Sequence, residues 1–89
     1  MNSRTTKSFW KHYWGLPLLI RQKAIQSYKL WRDNPAHPAI CFKRVKESQP
    51  IYSVRIGLSY RALGLFKSDT VTWFWIGDHD AYEYLINEL

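Results

Sequence analysis

Arg55 and Arg61 flank the short run Gly57-Leu58-Ser59 in "YSVRIGLSYRALG". If those three residues form a hairpin loop, Ile56 faces Tyr60, Arg55 faces Arg61 and Val54 faces Ala62. The alternation then agrees on both strands: Tyr52, Val54, Ile56, Tyr60, Ala62 and Phe66 on a core face, Ser53, Arg55, Ser59 and Arg61 on the other. Two like charges opposite one another repel. A shared phosphate removes that penalty, because guanidinium groups grip it through paired donors. The plainer alternative is that both side chains extend into water, where repulsion is screened. His79 is the second candidate. It follows the apolar run "TVTWFWIG", between Asp78 and Asp80, with Tyr82 close behind. An imidazole titrates near neutrality and can take or give a proton there. The end of a rigid strand is a usual place to hold such a group. A turn histidine can equally be a polar loop residue, and Asp78 or Asp80 suits a helix cap.

Lys43 and Lys46, or Arg44, can extend the basic patch from a neighbouring strand; the alternative for each is a solvated edge charge. His37 and Cys41 have an i,i+4 spacing, but Pro38 lies between them and no second pair exists. A metal site needs more ligands, so no metal is expected. Neither a glycine-rich phosphate loop nor a nucleophile elbow is present, and no cofactor is expected. Trp73, Phe74 and Trp75 read as core rather than as a stacking platform, which needs exposed rings.

The elements that must position these groups fall into two halves. Ser3 or Thr5 can cap a short helix ending near Trp14, with Phe9/Tyr13 and Trp10/Trp14 as i,i+4 pairs. Gly15 can stop it and Pro17 can open the next. In "PLLIRQKAIQSYKLWRD", Ile20, Ala24, Tyr28 and Trp31 form one stripe, and Arg21, Lys29 and Arg32 lie away from it. The two helices make an α-hairpin with a basic outer face. "DNPAHP" ends the second, because residues before proline leave the α region. The rest reads as strands: "AICFKRVK", the hairpin "IYSVRIGLSYRALGLF", and "TVTWFWIG", central because both its faces are apolar. A last helix, "AYEYLINEL", closes the chain. The expected fold is α+β: an α-hairpin packed on an antiparallel sheet of about four strands, then a short C-terminal helix.

A chain of 89 residues makes one domain, residues 1–89. Its five Trp, six Tyr and four Phe supply the large side chains that so small a core needs. Thirteen Lys and Arg against seven Asp and Glu give a net charge of +6. That excess suggests an anionic partner, nucleic acid first and an acidic protein second, or else a basic surface kept for solubility. The single Cys excludes a disulfide framework and points to a reducing cytoplasm. "MNSRTTKSF" has no apolar signal core, and no apolar run is long enough to span a bilayer, so no membrane partner is expected.

The order of these elements resembles the RelE/ParE superfamily of small bacterial toxins of type II toxin-antitoxin systems, over nearly the whole chain. "LPLLIRQKAIQSYKLW" is similar to its helical hairpin, "YSVRIGLSYRALG" to its arginine-bearing central hairpin, and "FWIGDHDAYEYL" to its closing strand and helix. Members of the RelE branch cut messenger RNA on the ribosome. By that resemblance Arg61 matches a phosphate-contacting arginine, His79 a basic or histidine catalytic position, and Tyr82 the tyrosine that follows. Lys43 and Arg55 match positions that carry positive charge. The implied set is catalytic His79, Arg61 and Tyr82, the tyrosine orienting or stacking on a base, with Arg55 and Lys43 holding substrate; Lys46 joins them from the basic patch. The implied partners are ribosome-bound message and a cognate antitoxin. The ParE branch instead poisons DNA gyrase without nuclease activity, and a basic RNA- or antitoxin-binding module without activity is a third possibility. Most members begin with a strand, for which "MNSRTTKS" is too short and polar. The tyrosine also follows Gly77 at a shorter spacing than in the RelE pattern, which leaves both Tyr82 and Tyr84 open.

Overall fold

The computed structural model describes all 89 residues. They run β1 (Asn2–Thr5), α1 (Lys7–Trp14), α2 (Leu18–Asp33), β2 (Lys43–Arg44), β3 (Ile51–Ile56), β4 (Tyr60–Lys67), β5 (Thr70–Asp78) and α3 (His79–Glu88). The fold is α+β, as the pattern of elements implied. The sheet has five strands rather than about four, in the order β1-β5-β4-β3-β2, and it is mixed rather than antiparallel. The extra strand is the polar N-terminus. β1 lies parallel to β5, from Asn2 opposite Thr70 to Thr5 opposite Trp73. It is an edge strand with three of its four residues exposed, so no hydrophobic alternation betrays it. Main-chain pairing holds it instead, with Asn2 N–H donating to Asp69 O at 2.9 Å and Thr6 N–H to Trp73 O at 3.1 Å. Because Ser3 and Thr5 belong to this strand, neither caps α1. Thr6 does, its Oγ1 accepting from Phe9 N–H at 3.1 Å.

The expected strand "AICFKRVK" shrinks to Lys43–Arg44. Cys41 has φ 49°, a left-handed conformation that breaks the extended run. Ile40 still contributes: its carbonyl accepts from Arg55 N–H at 2.7 Å, and its side chain is buried. The central hairpin takes the register read from the sequence, with Ile56 opposite Tyr60, Arg55 opposite Arg61 and Val54 opposite Ala62. Gly57, at φ 60°, starts the three-residue turn in the region that glycine enters without a Cβ penalty.

Two cores lie on the two faces of the sheet. Beneath α1 and α2, Tyr13, Ala24, Trp31 and Ile40 pack on Val54, Ile56, Ala62, Val71, Trp73 and Ile76. Ala24 and Trp31 of the expected α2 stripe are buried, Ile20 is half-buried, and Tyr28 stands at the rim. A smaller core of Ile51, Leu63, Trp75 and Tyr82 lies beneath α3. The face expected to be polar is therefore half covered, and Ser53, expected at a polar surface, is fully buried. A bulge in β5 serves both cores. Leu63 pairs with Trp75 and Gly64 with Trp73, so Phe74 is the extra residue and the two tryptophans go to opposite faces.

Candidate functional site

The site is the part of the α3 face beside the core of Ile51, Leu63, Trp75 and Tyr82. Ile51 and Leu63 point into the core beneath α3, so strand alternation puts Ser53, Arg55 and Arg61 on that same face. Arg61 is also opposite Gly77 of β5, giving one row of Arg55, Arg61 and Gly77 across three strands. Lys43 of β2 is the register partner of Ser53 and joins the same face one row away. Lys46 lies past the end of β2, further from the arginine row, where its carbonyl accepts from Arg44 Nε at 2.7 Å. Arg44 is occupied in that turn, donating to Glu47 O as well at 2.9 Å.

His79 reaches this face because β5 turns directly into α3. Asp78 is the cap, Oδ1 accepting from Ala81 N–H at 2.8 Å. His79 N–H donates to Ser59 O at 2.8 Å, which ties the first residue of α3 to the β3–β4 turn. The imidazole stacks on the Tyr82 ring, centroids 5.9 Å apart at 24°. The Arg61 guanidinium carbon lies over the same ring, 5.5 Å from its centroid. Of the two tyrosines left open, Tyr82 is the one beneath the site; Tyr84 is 71% exposed. Gly77 has a reason to be glycine. A Cβ there would stand 2.5 Å from Trp75 Cζ2, so the indole lies flat across it.

The electrostatics are one-sided. Arg32 pairs with Asp33 at 3.7 Å and His79 Nε2 lies 3.3 Å from Glu83 Oε1, leaving Arg55, Arg61 and Lys43 without a carboxylate. Arg55 Nε and Ser53 Oγ are buried with no hydrogen-bond partner. Such a surface can receive an anion and place a proton-transfer group at its border. Glu83, which meets His79 Nε2, was not among the residues picked from the sequence, although its i,i+4 spacing from His79 was there to see. No cluster of three or more His, Cys, Asp or Glu is placed to hold a metal. His37 Nδ1 instead accepts from Ala39 N–H, and Cys41 Sγ donates to Pro38 O.

A second feature lies on the opposite face, between α1, α2 and β1. It is a cleft of about 360 Å³ whose lining includes Arg4, Phe9, Trp10, Tyr13, Ile25 and Tyr28. At the end of α1 and the start of α2, Trp14, Leu18 and Leu19 are largely exposed. No helix is long and apolar enough to cross a membrane.

The backbone has close counterparts among solved structures. It is similar to the RelB–RelE antitoxin-toxin complex of Methanococcus jannaschii at TM-score 0.72, with 19% identity over 91% of this chain and 96% of that one. It is similar to the toxin-antitoxin complex RelBE2 of Mycobacterium tuberculosis at TM-score 0.69, with 20% identity over 88% and 96%. The YoeB/ParE toxin of Agrobacterium tumefaciens matches at TM-score 0.67, with 15% identity over 89% and 99%. At these identities the likeness establishes the fold. No curated protein sequence matches. The model of the ParE-like toxin domain matches residues 18–84, and the chain belongs to that family of RelE/ParE toxins.

Proposed function

We propose that this toxin cuts messenger RNA on the ribosome. The observation that carries the reading is the Arg55–Arg61 pair, opposite one another, free of any carboxylate, and bordered by His79. In this reading the RNA supplies its own nucleophile, the 2′-OH next to the scissile phosphate. A base takes the 2′-OH proton and an acid protonates the leaving O5′, with His79 as one of the two, and Arg61 with Arg55 holds the charge that gathers on phosphorus. Oxygen O2′ bonds to phosphorus as the bond to O5′ breaks, leaving a 2′,3′-cyclic phosphate and a 5′-OH. Lys43 and, further along that edge, Lys46 attract the backbone on either side. Tyr82 meets both His79 and Arg61 from the core side and acts through those two groups. Primer extension on messages from translating extracts tests this: cuts should appear with the intact protein and vanish with Arg61→Ala.

The partner in this reading is an antitoxin, as in the Methanococcus and Mycobacterium complexes. An acidic segment suits the arginine face, because a carboxylate can take the phosphate's place there. The exposed apolar residues of α1 and α2 suit the remainder, since charge adds more to on-rate than to affinity. Those two surfaces lie on opposite faces of the sheet, so one antitoxin chain covers both only by passing round a sheet edge.

Gyrase inhibition is the second reading. It is favoured by the family match, which names the ParE-like domain, and by the exposed Trp14, Leu18 and Leu19. It predicts DNA damage and filamentation with intact message.

A further inference from the structure

Tyr82 is the residue whose place in the structure departs most from the role its position suggested. It is 8% exposed and belongs to the core beneath α3, with Ile51, Leu63 and Trp75. A ring buried to that degree is not free to stack on an incoming base or to move with substrate. It does meet both groups that are placed to act on phosphate. The His79 ring lies nearly parallel to it, and the Arg61 guanidinium stands over it. Arg61 is on β4 and His79 on α3, two elements with no side-chain hydrogen bond or ion pair between these residues. The Tyr82 ring meets both, and so links them across the two elements.

We propose that Tyr82 is a positioning residue: its buried ring is a shelf that fixes the separation of Arg61 and His79, and its hydroxyl takes no part in the chemistry. The proposal rests on the reading of His79 and Arg61 as the catalytic groups. Its physical basis is general. A guanidinium over an aromatic face is held by the ring quadrupole, and parallel rings in contact restrict one another's rotation. Catalytic groups misplaced by about 1 Å cost on the order of 10²-fold in rate, so a shelf that sets two of them at once has leverage.

Tyr82→Phe and Tyr82→Leu separate the shelf from the hydroxyl. Two readouts are taken on each: cleavage of ribosome-bound message, and the NMR shift of His79 Hε1, which a stacked ring moves by its ring current whatever the RNA does. Phe should keep the His79 shift and keep cleavage within about threefold of wild type. Leu fills the core with an apolar side chain but removes the shelf; it should lose the ring-current shift and lose cleavage by about 10²-fold. If Phe loses cleavage as heavily as Leu while the His79 shift persists, the hydroxyl acts on substrate and Tyr82 is catalytic. If Leu leaves both shift and cleavage unchanged, there is no shelf. Should the Leu variant fail to fold, the Phe arm still decides, because a shelf without a working hydroxyl requires an active Phe variant. Should wild type cut no message at all, the ribonuclease reading fails, and the His79 shift alone reports whether the shelf exists.

Discussion

Replacing Arg55 by Met should make the protein more stable and less active together. Arg55 Nε is buried without a partner, and its cross-strand neighbour is another arginine. Methionine keeps an unbranched apolar stem along the sheet and removes both defects. An unsatisfied buried donor costs about 1–3 kcal/mol, and like charges facing across strands cost about 0.2–1 kcal/mol. The side chain is partly exposed, so water screens part of the repulsion and nearby solvent limits the donor's cost, and the low end of both ranges applies. A net gain of about 1–2 kcal/mol is expected. For 89 residues the unfolding entropy is about 0.2 kcal/mol/K, so Tm should rise by roughly 5–10 °C. The same change removes a phosphate donor. A hydrogen bond to a charged group contributes about 1.5–3 kcal/mol, which corresponds to a loss of roughly 10- to 10²-fold in cleavage. Calorimetry and primer extension on the same preparations measure the two effects. A fall in Tm of several degrees would make Arg55 a structural residue and would refute the idea that its charge is held in reserve for an anion.

His79→Ala should reduce cleavage by about 10²–10⁴-fold with little change in urea midpoint, since the side chain is about half exposed. Arg61→Ala should abolish toxicity in growth assays more completely than Arg61→Lys, which keeps charge but loses the paired donors; a fully toxic Arg61→Ala would remove the arginine face from the mechanism. Gly77→Ala should lower stability by about 1–3 kcal/mol in urea titration, because its Cβ collides with the Trp75 indole. Ile25→Glu, in the cleft between the helices, should weaken antitoxin binding in calorimetry and leave cleavage unchanged, because that cleft is on the face away from the arginines.

The Arg55–Arg61 pairing was legible in the sequence because period-two alternation on both strands and a glycine turn agree on one register. Asp78 as cap was legible as one of two aspartates beside a strand end. Other features were hidden for particular reasons. β1 carries no pattern, since an edge strand with mostly exposed side chains is specified by its main-chain partner, Thr70–Trp73. β2 looked longer than it is because Ile40 and Phe42 are apolar for the sake of the core, while the left-handed Cys41 between them ends the extended chain. Full burial of Ser53 comes from packing on the α3 side of the sheet, a tertiary event no local window contains. The same packing sets Tyr82 between Arg61 and His79. Its neighbour Tyr84, equally available by composition, points to water.

The ribonuclease reading meets its most direct test in a purified translation system with this protein added. The ends of any broken message are mapped and their chemistry identified. Cuts within the coding region of ribosome-bound message, carrying 2′,3′-cyclic phosphate and 5′-OH ends and absent with His79→Ala and Arg61→Ala, are the predicted result. Intact message in that system, together with gyrase-dependent DNA breaks when gyrase is supplied instead, would contradict it and assign the toxin to the other branch.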